Sequence, residues 1–460
     1  MKKYVLLQYD NGDYRNANYY FVMKFYNREK EKAQLSKVLE KSRKEAQMTV
    51  LMGRRRIGKT ELALQCGDET VLYFFVGKKA EPMLCRDFID EISNKLGFPI
   101  IGQLLSFSEV FRLVLQLSER RPFTLIIDEF QNFLKVNPTV FGDMQRDWDL
   151  HKRTSHLNLV ISGSVFTLMK RIFEDYEEPL FGRANERLML QPFTTSVLKE
   201  ILADFNTQFT KEDLLALFSV TGGVPWYVSL LLDKGYIAKD QMLAALTEEN
   251  SPFIGEGRNI LIEEFGSDYI TYFSILTCIA SGLKTRAEIE AELGLDNIGS
   301  YLARLENYYH LITKSLPIFS KPNSKKVRYQ LDDCFLIFWF RFFYKYQSLV
   351  ENKALASLGE IIQRDYSSVS GFMMERYFAR KFEEEGKYIV GKWWDRKGEN
   401  EIDLIVADPI KKEAWIYELK KNSERYNEKA LKAKVKTMVG QVPELAKMKI
   451  YLGSLSIDDM

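Results

Sequence analysis

The sequence predicts an α/β chain: a parallel sheet wrapped by helices, then an all-helical region, then a second, mixed α/β block. Three observations carry this expectation. Four short apolar runs, Met48–Met52, Val71–Val76, Phe123–Ile127 and Leu157–Ile161, alternate with helix-patterned segments, as parallel strands buried on both faces do. After Gln191-Pro192-Phe193 such runs cease and helical spacing takes over. They return at Ile402–Val406, Trp415–Leu419 and Lys449–Leu452.

Taken in order, residues 1–22 are polar, rich in Tyr and Asn, and without a clear period. They read either as a loose arm or as an added edge strand at Tyr4–Leu7. Asn27 can cap a helix over Lys30–Lys44, where Ala33, Leu35, Val38 and Leu39 recur at helical spacing. Thr60–Cys66 starts a second helix, and Phe88–Leu96 and Val110–Leu117 are amphipathic. Thr194–Ala245 is helical but broken at Thr221-Gly222-Gly223-Val224-Pro225. Asp268–Ile318 is helical again and leads, past a turn at Lys321–Lys326, to a β-wing at Tyr329–Leu331. The run Asp333–Phe343 is too aromatic for a surface helix and is expected to be buried between other elements. A helix over Met374–Glu384 opens the final block.

The 460 residues suffice for several domains, and 46% hydrophobic with 28% charged residues describes an ordinary globular chain. A net charge of +2 neither favours nor excludes a nucleic-acid partner, so any basic surface must be local. Cys66, Cys85, Cys278 and Cys334 lie far apart with no CxxC pair, which points to a reducing compartment without disulfides or a zinc site. No apolar run approaches the roughly 20 residues that span a bilayer. The N-terminus has no secretory apolar core, since Asp10 and Asp13 interrupt it. A cytoplasmic protein with no membrane partner is expected.

Gly53-Arg54-Arg55-Arg56-Ile57-Gly58-Lys59-Thr60 fits GxxxxGK[ST] between a strand and a helix. Glycines at both ends let the backbone curl so that successive N–H groups point inward at phosphates. Lys59 would neutralise β/γ charge, and the Thr60 hydroxyl would ligate Mg²⁺. The apolar strand Phe123–Ile127 ends in Asp128 and Glu129, placing one acid near that metal and the other where it can polarise an attacking water. ATP and Mg²⁺ are therefore the expected ligands, and hydrolysis follows from Glu129. Strand Leu157–Ile161 ends in Ser162-Gly163-Ser164, where a hydroxyl could sense the γ-phosphate or cap the next helix. Arg183, in the loop Leu180-Phe-Gly-Arg, reads as an arginine finger or a plain surface arginine.

These motifs, with Phe25-Tyr-Asn-Arg28-Glu29 and Gly222-Gly-Val-Pro225, resemble the archaeal-type ATPases of the AAA+/STAND branch over roughly Phe25–Ala245. The resemblance implies an ASCE P-loop core with a helical lid, Arg28 near the nucleotide base, and the turn at Pro225 touching the nucleotide. Tyr272–Ile318 resembles the winged helix that follows such cores, with Asn297–Tyr308 as the recognition-like helix and Arg304 outward. It could contact DNA, or pack on the ATPase and relay its state. Acidic Glu288, Glu290 and Glu292 do not suit a phosphate-facing surface.

The last block holds Asn400-Glu-Ile-Asp403 and, past a hairpin turn at Asp408-Pro409, Glu418-Leu-Lys420. Strand alternation puts Glu418 and Lys420 on one face, and two carboxylates with a lysine can hold Mg²⁺ and activate water. This is similar to the D…ExK arrangement of PD-(D/E)xK nucleases, with Glu375 matching that family's helical acid. The block also looks like the C-terminal DUF234-type domain that accompanies these ATPases. A restriction-endonuclease-like fold is expected, with active cleavage and an inert interaction module left as alternatives. The expected domains are an extension (1–24), ATPase core (25–192), helical lid (193–250), winged helix (251–332) and nuclease-like domain (333–460). Oligomers or a protein partner are compatible with this organisation.

Overall fold

The structure, a computed structural model, describes residues 24–460 apart from 98, 101, 266–268, 322, 397 and 423–425. The expected N-terminal arm or edge strand, and Asp268 at the start of the second helical stretch, lie outside the described residues. The chain divides into two compact units, residues 27–191 and residues 192–460 with 24–26.

In the first unit, strands β1 (Gln47–Gly53), β2 (Val71–Phe75), β3 (Phe123–Asp128), β4 (Leu157–Ser162) and β5 (Glu186–Leu190) form one parallel sheet in the order β2-β3-β4-β1-β5. Every residue of β1, β3 and β4 is buried, which is why these strands read as unbroken apolar runs. Strand β5 has no such run. It is an edge strand in which Leu188 and Leu190 face inward while Arg187 and Met189 are exposed. The helix expected at Phe88–Leu96 begins at Glu81, because Pro82 is tolerated in a first turn whose N–H groups have no intrahelical partner. The Phe74 and Phe88 rings stack at 4.3 Å and seal this helix to β2.

In the second unit, helices Thr195–Phe205, Lys211–Thr221, Pro225–Leu232 and Lys239–Ala245 precede Pro252–Phe265, Tyr269–Ser281, Arg286–Leu293 and Gly299–Asn307. An antiparallel pair follows, β6 (Ile312–Ser315) with β7 (Arg328–Leu331). Cys334–Trp339 is a wholly buried helix that continues through a π turn, Phe340–Tyr344. A 29-residue helix, Leu355–Glu383, leads into a sheet ordered β11-β10-β9-β8. Its strands are β8 (Ile389–Trp394), β9 (Glu401–Asp408), β10 (Glu413–Leu419) and β11 (Lys449–Leu455). One apolar core runs from Leu198 through Phe335 and Tyr377 to Leu404 and Leu419.

Close approaches fix this core. A Cβ on Gly257 would lie 2.2 Å from the Trp339 indole, whose Nε1 donates to Ile254 O at 2.8 Å. The Gly222–Pro225 turn is held from the long helix: Arg380 donates to Gly222 O (2.8 Å) and Phe193 O (2.9 Å). One turn on, Glu384 accepts from the Thr195 N–H and hydroxyl and so caps the start of helix Thr195–Phe205. Gly223 has φ +80°, and any side chain there would meet Phe193 O at 2.5 Å. Arg380→Ala is expected to destabilise the second unit by about 1.5–3 kcal/mol, since it strips charged donors from two backbone carbonyls. Urea unfolding followed by tryptophan fluorescence checks this, and an unchanged midpoint would contradict it.

Candidate nucleotide site and C-terminal acid cluster

Strand β1 delivers Gly53, with φ +143°, to the start of the loop, where a Cβ would lie 2.8 Å from Leu190 O. Only glycine admits that approach. Arg56 adopts φ +69° and Gly58 φ +88°, so the backbone turns left-handed twice before the helix Lys59–Gln65 begins. Arg54 and Arg55 span the half-buried stretch before Arg56, and Ile57 is buried beneath the loop. Lys59 is buried, its ammonium donating to Gly53 O (2.9 Å) and Arg54 O (3.1 Å) inside the loop's own curl.

Strand β3 ends at Asp128, next to the loop. Its Oδ2 accepts from Thr60 Oγ1 (2.7 Å) and the Tyr73 hydroxyl (2.9 Å). Its Oδ1 accepts from Ser162 Oγ (2.5 Å) and the Glu129 N–H (2.9 Å). Four donors thus converge on one carboxylate. Burial and the neighbouring Asp128 charge together push the Tyr73 hydroxyl far above its ordinary pKa, so it remains a donor. Glu129 sits in the left-handed region (φ +55°), and its Oε2 accepts from Gln131 Nε2 (2.6 Å) and Ser164 Oγ (2.7 Å). The structure thus brings Lys59, Thr60, Asp128, Glu129 and Ser162 together.

Arg28 lies buried against the outside of the loop. Its guanidinium donates to Gln191 O (2.6 Å), Ile57 O (3.4 Å) and Glu31 (3.2 Å), bracing the loop against the end of β5. Arg183 binds Asp149 through Nε (3.1 Å) and Nη2 (2.8 Å), and Pro179 O through Nη1 (2.6 Å). Pro225 opens helix Pro225–Leu232 in the second unit, beside the Arg380 clasp. Sequence reasoning did not find Tyr73 or Gln131. The one signal for Gln131 was the polar pair Gln131-Asn132 set between Phe130 and Phe133 just after the paired acids.

In the C-terminal block, β9 and β10 form the expected hairpin, pairing Leu404 with Tyr417. Asp403 Oδ2 accepts the Leu419 N–H (3.2 Å). Burial and the nearby Glu375 carboxylate raise the Asp403 pKa, against the Leu419 N–H, Lys392 and Lys420. Lys420 lies 3.2 Å from Glu418 Oε1, and Lys434 reaches the same oxygen at 4.0 Å. Glu418 Oε2 is buried without a hydrogen-bond partner among the described residues. Among the described residues no three His, Cys, Asp or Glu gather closely enough to hold an ion by themselves. Lys392, on the unforeseen strand β8, takes Glu375, and Lys420 takes Glu418, while Asp403 accepts the Leu419 N–H.

A parallel sheet with this loop after β1 and paired acids ending β3 defines a P-loop nucleotide-binding domain. Residues 25–231 match the family model of an ATPase domain predominantly from Archaea. Residues 339–432 match DUF234, archaeal and bacterial proteins of unknown function. The chain is thus similar to archaeal-type ATPases over residues 25–231 and to DUF234 proteins over residues 339–432. A Methanocaldococcus jannaschii protein, MJECL04, described as uncharacterized, is 29% identical over 407 residues, 86% of this chain and 87% of its own. Among solved structures, the Walker-type ATPase PABY2304 of Pyrococcus abyssi is 20% identical, covers 69% of this chain and 96% of its own, and has a TM-score of 0.52. The Aeropyrum pernix ORC2 protein in its ADPNP–ADP complexes is 17% identical and covers 72% and 97%, with a TM-score of 0.46. The first likeness speaks for the fold alone. Among the described residues no helix is long and apolar enough to cross a membrane.

Proposed function

We propose that this protein binds ATP with Mg²⁺, hydrolyses it, and acts on or is regulated through nucleic acid in the cytoplasm. The observation that supports hydrolysis is the 2.7 Å contact between Thr60 and Asp128 with Glu129 adjoining, a hydroxyl, a metal-type carboxylate and a base in one cluster. These hard oxygen donors suit Mg²⁺, which Thr60 and Asp128 would hold and which would offset charge on the phosphates. The loop amides and Lys59 bind the phosphates, Ser162 and Tyr73 keep Asp128 in place, and Glu129 takes a proton from water. Arg28 acts by bracing the loop. Arg183 serves as an arginine finger, within the chain or toward a neighbouring copy, only on leaving Asp149. Phosphate release by the wild type against Glu129→Gln tests this reading.

The three helices Tyr269–Ser281, Arg286–Leu293 and Gly299–Asn307 followed by β6–β7 have the element order of a winged helix. On its exposed third helix the Arg304 guanidinium lies 6.0 Å from both the Tyr272 and Tyr309 rings. Glu288 caps its helix and Glu290 pairs with Arg286 at 2.7 Å, yet their negative charge stays on this exposed helix and favours a relay role over DNA contact.

A second reading, metal-dependent cleavage at Asp403, Glu418 and Lys420, is favoured by the orphaned, buried Glu418 Oε2. A buried carboxylate oxygen without a donor is costly, and a cation would satisfy it. Asp403→Ala and Lys420→Ala are expected to lower Mg²⁺- or Mn²⁺-dependent cutting of DNA or RNA by about 100-fold or more. If the wild type cuts nothing with either metal, the C-terminal block is an inert module and the protein is a regulatory ATPase switch.

A further inference from the structure

We propose that Gln131 is a positioning residue for hydrolysis, holding the Glu129 carboxylate in its productive orientation, and that Gly163 is glycine to admit it. The proposal rests on the ATPase reading above.

Glu129 and Gln131 flank Phe130, and the backbone from Phe130 to Asn132 is a 3-10 turn that starts from the left-handed Glu129. This turn swings the Gln131 amide back toward the acid two residues earlier. Gln131 is 2% exposed, and its Nε2 donates to Glu129 Oε2 at 2.6 Å. Ser164 Oγ donates to the same oxygen at 2.7 Å. Two donors converging on Oε2 fix both rotation and tilt of the carboxylate, so Oε1 is the oxygen that takes the proton. In the step itself the water oxygen bonds to the γ-phosphorus and the bond from that phosphorus to the β–γ bridging oxygen breaks. One water proton passes to Glu129, and ADP and phosphate leave.

The seat of Gln131 is cut to shape. A Cβ on Gly163 would stand 2.3 Å from Gln131 Oε1 and 2.4 Å from Met169 Sδ. Gly163 has an ordinary negative φ, so the backbone does not require glycine there, but the packing does. Gln131 Oε1 is itself buried without a hydrogen-bond partner among the described residues. Keeping a buried amide oxygen unsatisfied costs stability, and a stability role alone would be met better by an apolar side chain of the same volume. The polar residue belongs to the chemistry of Glu129.

The experiment is steady-state ATP hydrolysis by the full chain, as a double-mutant cycle of Gln131→Met and Glu129→Gln, with ATP-analogue affinity measured on each variant. Gln131→Met keeps the volume and loses the donor. It is expected to lower kcat about 10- to 100-fold, the scale on which small misplacements act, with KM and analogue affinity within about twofold. In the Glu129→Gln background the same change should cost nothing further. Gly163→Ala, which leaves Gln131 in the sequence but displaces it, should reproduce the loss of kcat and covers the case in which Gln131→Met does not fold. Unchanged or raised kcat in Gln131→Met, or an equal loss in both backgrounds, overturns the proposal while leaving the ATPase reading intact. A wild type that releases no more phosphate than Lys59→Ala overturns both.

Discussion

Lys59→Ala protein will bind ATP about a hundredfold more weakly than the wild type, while its thermal midpoint stays close by. Charge-assisted hydrogen bonds contribute about 1.5–3 kcal/mol each, and a phosphate-facing ammonium makes at least one or two. Since 1.4 kcal/mol is about tenfold in affinity, two orders of magnitude follow. In the structure the Lys59 ammonium donates to Gly53 O and Arg54 O. It is a buried cation stationed within the loop, and a triphosphate would offer it formal negative charge in place of neutral carbonyls. The fold should tolerate its loss, because the curl is set by Gly53, Arg56 and Gly58 at positive φ rather than by the lysine. Equilibrium dialysis with labelled ATP decides the matter, and undiminished binding would remove the phosphate site from the chain.

The second large effect is on turnover. Glu129→Gln keeps the shape of the side chain and the Ser164 and Gln131 neighbours but cannot take a proton, so kcat should fall about 10²- to 10⁴-fold with ATP affinity retained. The Asp128 cluster is the control. Its four donors come from Thr60, Tyr73, Ser162 and the Glu129 backbone, none of which the substitution removes. Retained affinity with lost turnover separates the base from the binding machinery. Equal phosphate release by the two proteins would leave Glu129 without a chemical role.

How much of this was legible in the sequence depends on whether a residue's task is local. The loop Gly53–Thr60 and the pair Asp128–Glu129 are written in consecutive residues, and strands β1, β3 and β4 announce themselves because both faces are buried. Strand β5 was invisible because an edge strand exposes Arg187 and Met189 between its two buried leucines. Strand β8 was missed for a similar reason, being only half-buried and carrying Gly391 and Lys392. That omission had a consequence, since Lys392 is the group that engages Glu375. Gln131 shows the other limit. Its amide packs against Gly163, which is distant in sequence, and no spacing rule connects them.

The long helix Leu355–Glu383 has a mechanical corollary. At about 1.5 Å per residue it is a rod of about 43 Å. Near one tip, Arg380 and Glu384 fasten both the glycine turn before Pro225 and the first turn of helix Thr195–Phe205. The rod is embedded in the core from Leu358 to Phe378, so a strain imposed on that turn is borne by the whole interior of the second unit rather than by the clasp alone.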